Sequence, residues 1–157
     1  MTTLEPVDAS AVTRALEAEG LKVEADEPGM FWALRFEVYA RPQTALLILP
    51  PEGEYFVAVS LVSSPALNRP IEELPASTLS TIIKLQSDEL LAKFVILRLR
   101  SDPGTPGTPG TPGTPTYATA SPCSRRHWDG RKLRLRLEAC ATLAALIRSA
   151  LADEKNE

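Results

Sequence analysis

Cys123, His127 and Asp129 lie close together in the chain, and a thiol, an imidazole and a carboxylate can together generate a nucleophilic thiolate. Catalysis of that kind needs a held geometry and an oxyanion site. This segment sits beside a low-complexity tract and promises neither. The three are therefore read as polar loop residues around an Asp129-Gly130 turn, and no catalytic residue is expected. One histidine and two cysteines exclude a multi-ligand zinc site and a disulfide scaffold. The chain has no phosphate-binding glycine loop and no paired-histidine motif. Glu52, Glu54, Glu72 and Glu73 read as solvated acids or helix-dipole compensation. No cofactor and no metal are expected.

The basic residues carry a second kind of chemistry. Lys132, Arg134 and Arg136 alternate with Leu133, Leu135 and Leu137, which predicts a strand over Arg131–Leu137 with its cations on one face. Pairing with an antiparallel strand over Ala92–Arg100 puts Arg98 and Arg100 on the same face. Arg125 and Arg126 can extend the patch. These five residues, Arg98, Arg100, Lys132, Arg134 and Arg136, are the candidate partner-binding set. Three readings stay open: a face neutralised by acids of the first helix or a dimer mate, contact with an acidic client segment, or contact with nucleic-acid phosphates. Tyr117, His127 and Trp128 are aromatic neighbours able to stack on bases, but they carry no RNA-binding signature. The net charge of −3 opposes tight non-specific DNA binding.

These residues must be positioned by a chain of 157 residues with an ordinary globular mixture, 44% hydrophobic and 24% charged. No run approaches the ~18 apolar residues of a membrane span, so a soluble protein is expected. Met1–Glu5 show neither a basic region nor an apolar core, so no signal peptide and a cytoplasmic location are expected. Charge is segregated, with acids dominating residues 1–29 and bases dominating 103–152. Pro103–Pro115 repeats Pro-Gly-Thr, a composition that supports neither helix nor sheet. Residues 103–122 are read as a flexible insertion between the last two strands of a single domain spanning 1–157.

The remaining pattern gives the elements. Asp8 or Ser10 can cap a helix carrying Val12 and Leu16, which Gly20 stops. Leu21, Val23 and Ala25 alternate with polar residues. Phe31–Tyr39, Ala45–Leu49 and Tyr55–Val62 read as a three-stranded meander, with Arg41-Pro42 ending the first of them. Pro75 opens a helix to about Ser87 whose Leu79, Ile82 and Ile83 form the candidate dimer surface. After the basic hairpin, Cys140, Leu143, Ile147 and Leu151 mark a last helix, in which Cys140 is a small buried hydrophobe. A Cys123–Cys140 disulfide is not expected in a reducing cytoplasm. The class is α+β, an antiparallel sheet with helices in the order α-βββ-α-ββ-α.

That order, with the first helix ending at a glycine, the short strands of the meander, the middle helix over Pro75–Ser87 and the amphipathic last helix, resembles the type III secretion chaperone fold. It also resembles the YbjN-like family outside secretion. The resemblance implies a homodimer that binds stretches of a client protein without catalytic residues. A nucleic-acid accessory protein using the basic hairpin is the alternative. Either role would place the protein in the cytoplasm, away from the membrane.

Overall fold

The computed structural model describes residues 8–27, 31–50, 53–62, 64, 67, 71–87, 91–97 and 116–155. The first helix, α1 (Ala9–Ala18), is capped by Asp8, whose carboxylate accepts from the Ser10 amide at 3.0 Å. It ends where Gly20 takes a φ of +81°. There the Gly20 and Leu21 amides donate back to Glu17 and Leu16, closing the helix end with a glycine no side chain would replace freely.

Among the described residues six strands follow: β1 (Val23–Glu27), β2 (Phe31–Val38), β3 (Arg41–Ile48), β4 (Tyr55–Leu61), β5 (Lys93–Leu97) and β6 (Thr116–Ser124). They form one antiparallel sheet in the order β1-β2-β3-β4-β6-β5. The expected α+β class and its succession of meander, helix, hairpin and helix hold, and β1 joins the meander as an edge strand. From β4 the chain crosses through α2 (Ala76–Ser87) to the far edge at β5, and β6 returns between β4 and β5.

The described α-helices share one face of the sheet. Trp32, Leu34, Ala45, Leu47, Phe56, Ala58, Tyr117 and Cys123 meet Val12 and Leu16 of α1 there. Ile82 of α2 joins them, as do Leu133, Leu137, Cys140, Leu143, Ile147 and Leu151 of α3 (Gly130–Lys155). Period-two alternation sends these strand residues to one side, and apolar burial then fixes the sheet against the helices. Trp32 also donates its indole N–H to Thr13 Oγ1 at 3.0 Å, so its one polar atom is satisfied in the core.

The last third of the chain corrects the sequence reading. Arg131–Leu137 is not a strand; it is the first part of α3, which begins ten residues before Cys140. Asp129 is its N-cap rather than a turn residue, with Oδ1 accepting from the Lys132 amide at 2.8 Å. On a helix Leu133 and Leu137 share a face while Leu135 points away, and Leu135 is exposed. The last strand is instead Thr116–Ser124, so residues 116–122 belong to the sheet and not to the insertion expected over 103–122. The rest of that insertion lies outside the described residues. Arg41-Pro42 does not end a strand either. The chain turns at Tyr39-Ala40, and Arg41 already pairs with Val38.

Candidate functional site

The second face of the sheet is built from the other half of the same alternation. Three cross-strand rows follow from the register. Phe31, Ile48, Val57 and Pro122 form the first, and Ala33, Leu46, Val59, Ala120 and Lys93 the second. In the third, Arg35 pairs with Thr44 on one side of the sheet, and Leu61, Ala118 and Val95 align on the other. None of the apolar members belongs to the core cluster that the helices cover. Val59 and Ala118 of this face are buried, whereas Tyr55 and Leu61 are about half exposed, 51% and 48%. An antiparallel sheet with a solvated face normally alternates apolar with polar residues. Here β3, β4 and β6 carry aliphatic or small residues on both sides. These residues form a contiguous apolar patch on this face, of which Tyr55 and Leu61 are the exposed members.

A notch interrupts this face. β3 and β4 pair only over Leu46–Ile48 and Val57–Val59. Beyond that point side chains take over from the backbone ladder. Gln43 Nε2 donates to Ser60 Oγ at 2.7 Å and to the Leu61 carbonyl at 3.1 Å, and Ser60 Oγ donates to the Thr44 carbonyl at 2.8 Å. Gln43 and Ser60 are buried, and these bonds satisfy groups that the separated strands would otherwise leave unpaired. From α3, Arg148 Nη1 donates to Gln43 Oε1 at 3.1 Å. Pro42, Gln43, Thr44, Leu46, Leu61 and Arg148 line an open cleft of about 210 Å3. Its outer walls, Thr44, Leu46 and Leu61, are residues of this second face.

The expected basic stripe does not form on the sheet. Lys132, Arg134 and Arg136 lie on α3 and bond within the fold. Lys132 Nζ donates to the His127 carbonyl at 3.0 Å. Arg134 pairs with Glu138 at 3.1 Å and donates to the Glu19 carbonyl at the end of α1. Arg136 donates to the Pro122 carbonyl of β6 at 2.8 Å and to Lys132 O at 3.2 Å. Arg98 and Arg100 lie outside the described residues. The proposed dimer surface on α2 also divides. Ile82 is in the core at 2% exposure, Leu79 packs against the core, and Ile83 remains exposed.

Cys123, His127 and Asp129 do not converge. Cys123 faces the core, His127 is exposed, and Asp129 is committed to its cap. Burial pushes the Cys123 thiol up, and Asp129 adds to this, against the opposing pull of Arg136 and Lys132. Tyr117 and Trp128 are not free stacking platforms. Tyr117 is buried and stacked on Phe94 at 5.4 Å, and Trp128 meets Phe56 edge-on at 5.6 Å.

A partly exposed sheet face is what an antiparallel sheet with helices leads one to expect, but the sequence shows neither its residues nor the notch. The face is legible only once the register is known, and the notch depends on Arg148, a helix residue far along the chain. No model of a known protein family matches the chain, and no curated protein matches it in sequence. No helix among the described residues is long and apolar enough to cross a membrane.

Proposed function

We propose that the chain is a non-enzymatic, chaperone-like interaction module of the cytoplasm that works as a homodimer and holds a client polypeptide. The observation that supports this reading is the second, apolar face of the sheet, whose rows of Phe31, Ile48 and Val57 and of Leu46 and Val59 no described helix shields. The occupant we assign to it is a second copy of the chain. Six strands at about 4.8 Å spacing and ~7 residues at ~3.3 Å give a face on the order of 650 Å2 in projection. A standard interface takes about 800 Å2 of accessible surface per partner, a value that side-chain relief brings within reach. The edge strands β1 and β5 then remain for a client segment, which can add to a sheet edge through backbone hydrogen bonds.

Light scattering across a concentration series tests the dimer. The expected mass is twice the 17.0 kDa of one chain. The double variant Ile48→Lys/Val57→Glu places opposite charges on directly paired positions, so the monomer keeps a cross-strand pair while the face becomes charged. It is expected at monomer mass with an unchanged circular dichroism spectrum. A monomeric wild type at high concentration, or a dimer that survives the double variant, overturns the assignment.

A further inference from the structure

We propose that the notch between β3 and β4 is a binding site for an organic carboxylate bearing a small apolar group, with Arg148 as its anion-recognising residue. The guanidinium carries five N–H donors. Among the described residues its only acceptor is the neutral Gln43 Oε1, and no carboxylate forms an ion pair with it. Gln43 itself is fully engaged, donating to Ser60 and Leu61 while accepting from Arg148, so it holds the guanidinium in place without neutralising it. A partly buried cation with spare donors in a cleft is matched by a carboxylate, which accepts two parallel bonds from a guanidinium.

The walls decide what the carboxylate carries. Pro42, Leu46 and Leu61 are apolar, and Thr44 completes the rim. At roughly 30 Å3 of liquid volume per water, the open cleft of about 210 Å3 has room for a short branched acid. The separation of β3 from β4 is what opens this space. A continuous ladder past Leu46 and Val59 would place backbone where the ligand sits. Thr44, Leu46 and Leu61 also belong to the face assigned to the second copy, so binding is measured on the monomeric double variant Ile48→Lys/Val57→Glu, which leaves every residue of the notch unchanged, as well as on the wild type.

The carboxylate has two chemical sources, a polypeptide C-terminus or a free acid, and titration calorimetry with two probes separates them. N-acetyl-leucine stands for a chain end and 4-methylpentanoate for a free acid. Binding by at least one is expected, with N-acetyl-leucinamide binding at least tenfold more weakly and the affinity falling as salt rises. The tighter of the two probes identifies the source. Arg148→Met is expected to weaken binding at least tenfold. Equal binding of acid and amide overturns the proposal, as does binding of neither acid to either the wild type or the double variant Ile48→Lys/Val57→Glu, and this comparison does not depend on how well Arg148→Met folds.

Discussion

Gly130 stands so close to Ala15 that a Cβ on the glycine would come within 2.6 Å of the Ala15 carbonyl oxygen. The start of α3 is thereby pressed against the backbone of α1, a contact that only a residue without a side chain permits. Gly130→Ala is expected to destabilise the fold by about 1–3 kcal/mol, the usual cost of overpacking against something that cannot yield. Urea denaturation measures it. An unchanged midpoint would show that the two helices separate easily.

The β2–β3 hairpin carries its own strain. Tyr39 and Ala40 have φ of 53° and 62°, the left-handed conformation that a two-residue turn of this hand requires. Neither residue type favours it, and Tyr39 is mostly exposed, so little packing is lost by changing it. Tyr39→Asn/Ala40→Gly is therefore expected to stabilise the chain by about 1 kcal/mol, allowing for the extra freedom glycine gives the unfolded state. Thermal unfolding should move upward by several degrees.

The helix and the hairpin also show where sequence patterning succeeds and fails. Strands β2 and β4 and helix α1 were legible because β-branched or aromatic residues alternate in the first two, while capping residues bracket the third. Arg131–Leu137 misled because alternation of leucine with arginine satisfies a period of two over a short window. Its residue types, Leu, Arg and Lys, are good helix formers, and Asp129 is a cap. Propensity and capping outweighed alternation there. β6 was hidden for the opposite reason. Thr116–Ser124 contains Ala118, Ala120 and Pro122, all poor strand formers. It is a strand because β4 and β5 supply partners. β5 stops opposite Ala120, so Pro122 lies beyond the doubly flanked part of β6.

The cations of α3 should behave as structural residues. Arg134 closes a carbonyl at the end of α1, so Arg134→Ala is expected to cost about 0.5–1.5 kcal/mol, the net worth of such a bond. Arg131 is exposed on the same helix, and Arg131→Ala should change stability by less than about 0.5 kcal/mol. Equal midpoints for the two variants would remove the argument that Arg134 fastens α3 to α1.

Alkaline pH should weaken the fold. Burial raises the Cys123 thiol above its ordinary 9.0 and the Tyr117 phenol above its ordinary 10.0, the charge of Glu72 adding to the latter. Both groups are held neutral when folded, so the unfolded chain ionises first. Their contribution is complete below about pH 9 and is lost as pH rises through the raised folded values. Urea midpoints should accordingly be level from about pH 7 to 8.5 and fall above pH 9, and a flat profile into strong alkali would refute this. Alkylation of the buried Cys123 and Cys140 should be slow in the folded chain at neutral pH and fast in denaturant.

Leu97 and Thr116 pair directly across β5 and β6, so the two ends of the Pro-Gly-Thr connection are fixed beside each other by the sheet. The spacing of those ends is then independent of how many triplets lie between them. Loop-closure entropy grows only with the logarithm of length, about 0.6 kcal/mol for each doubling. Replication slippage in this repeat, adding or deleting a triplet at a time, therefore leaves the reading frame, the strand register and nearly all of the stability intact. The tract is a place where the gene can vary in length while the protein it encodes keeps its shape.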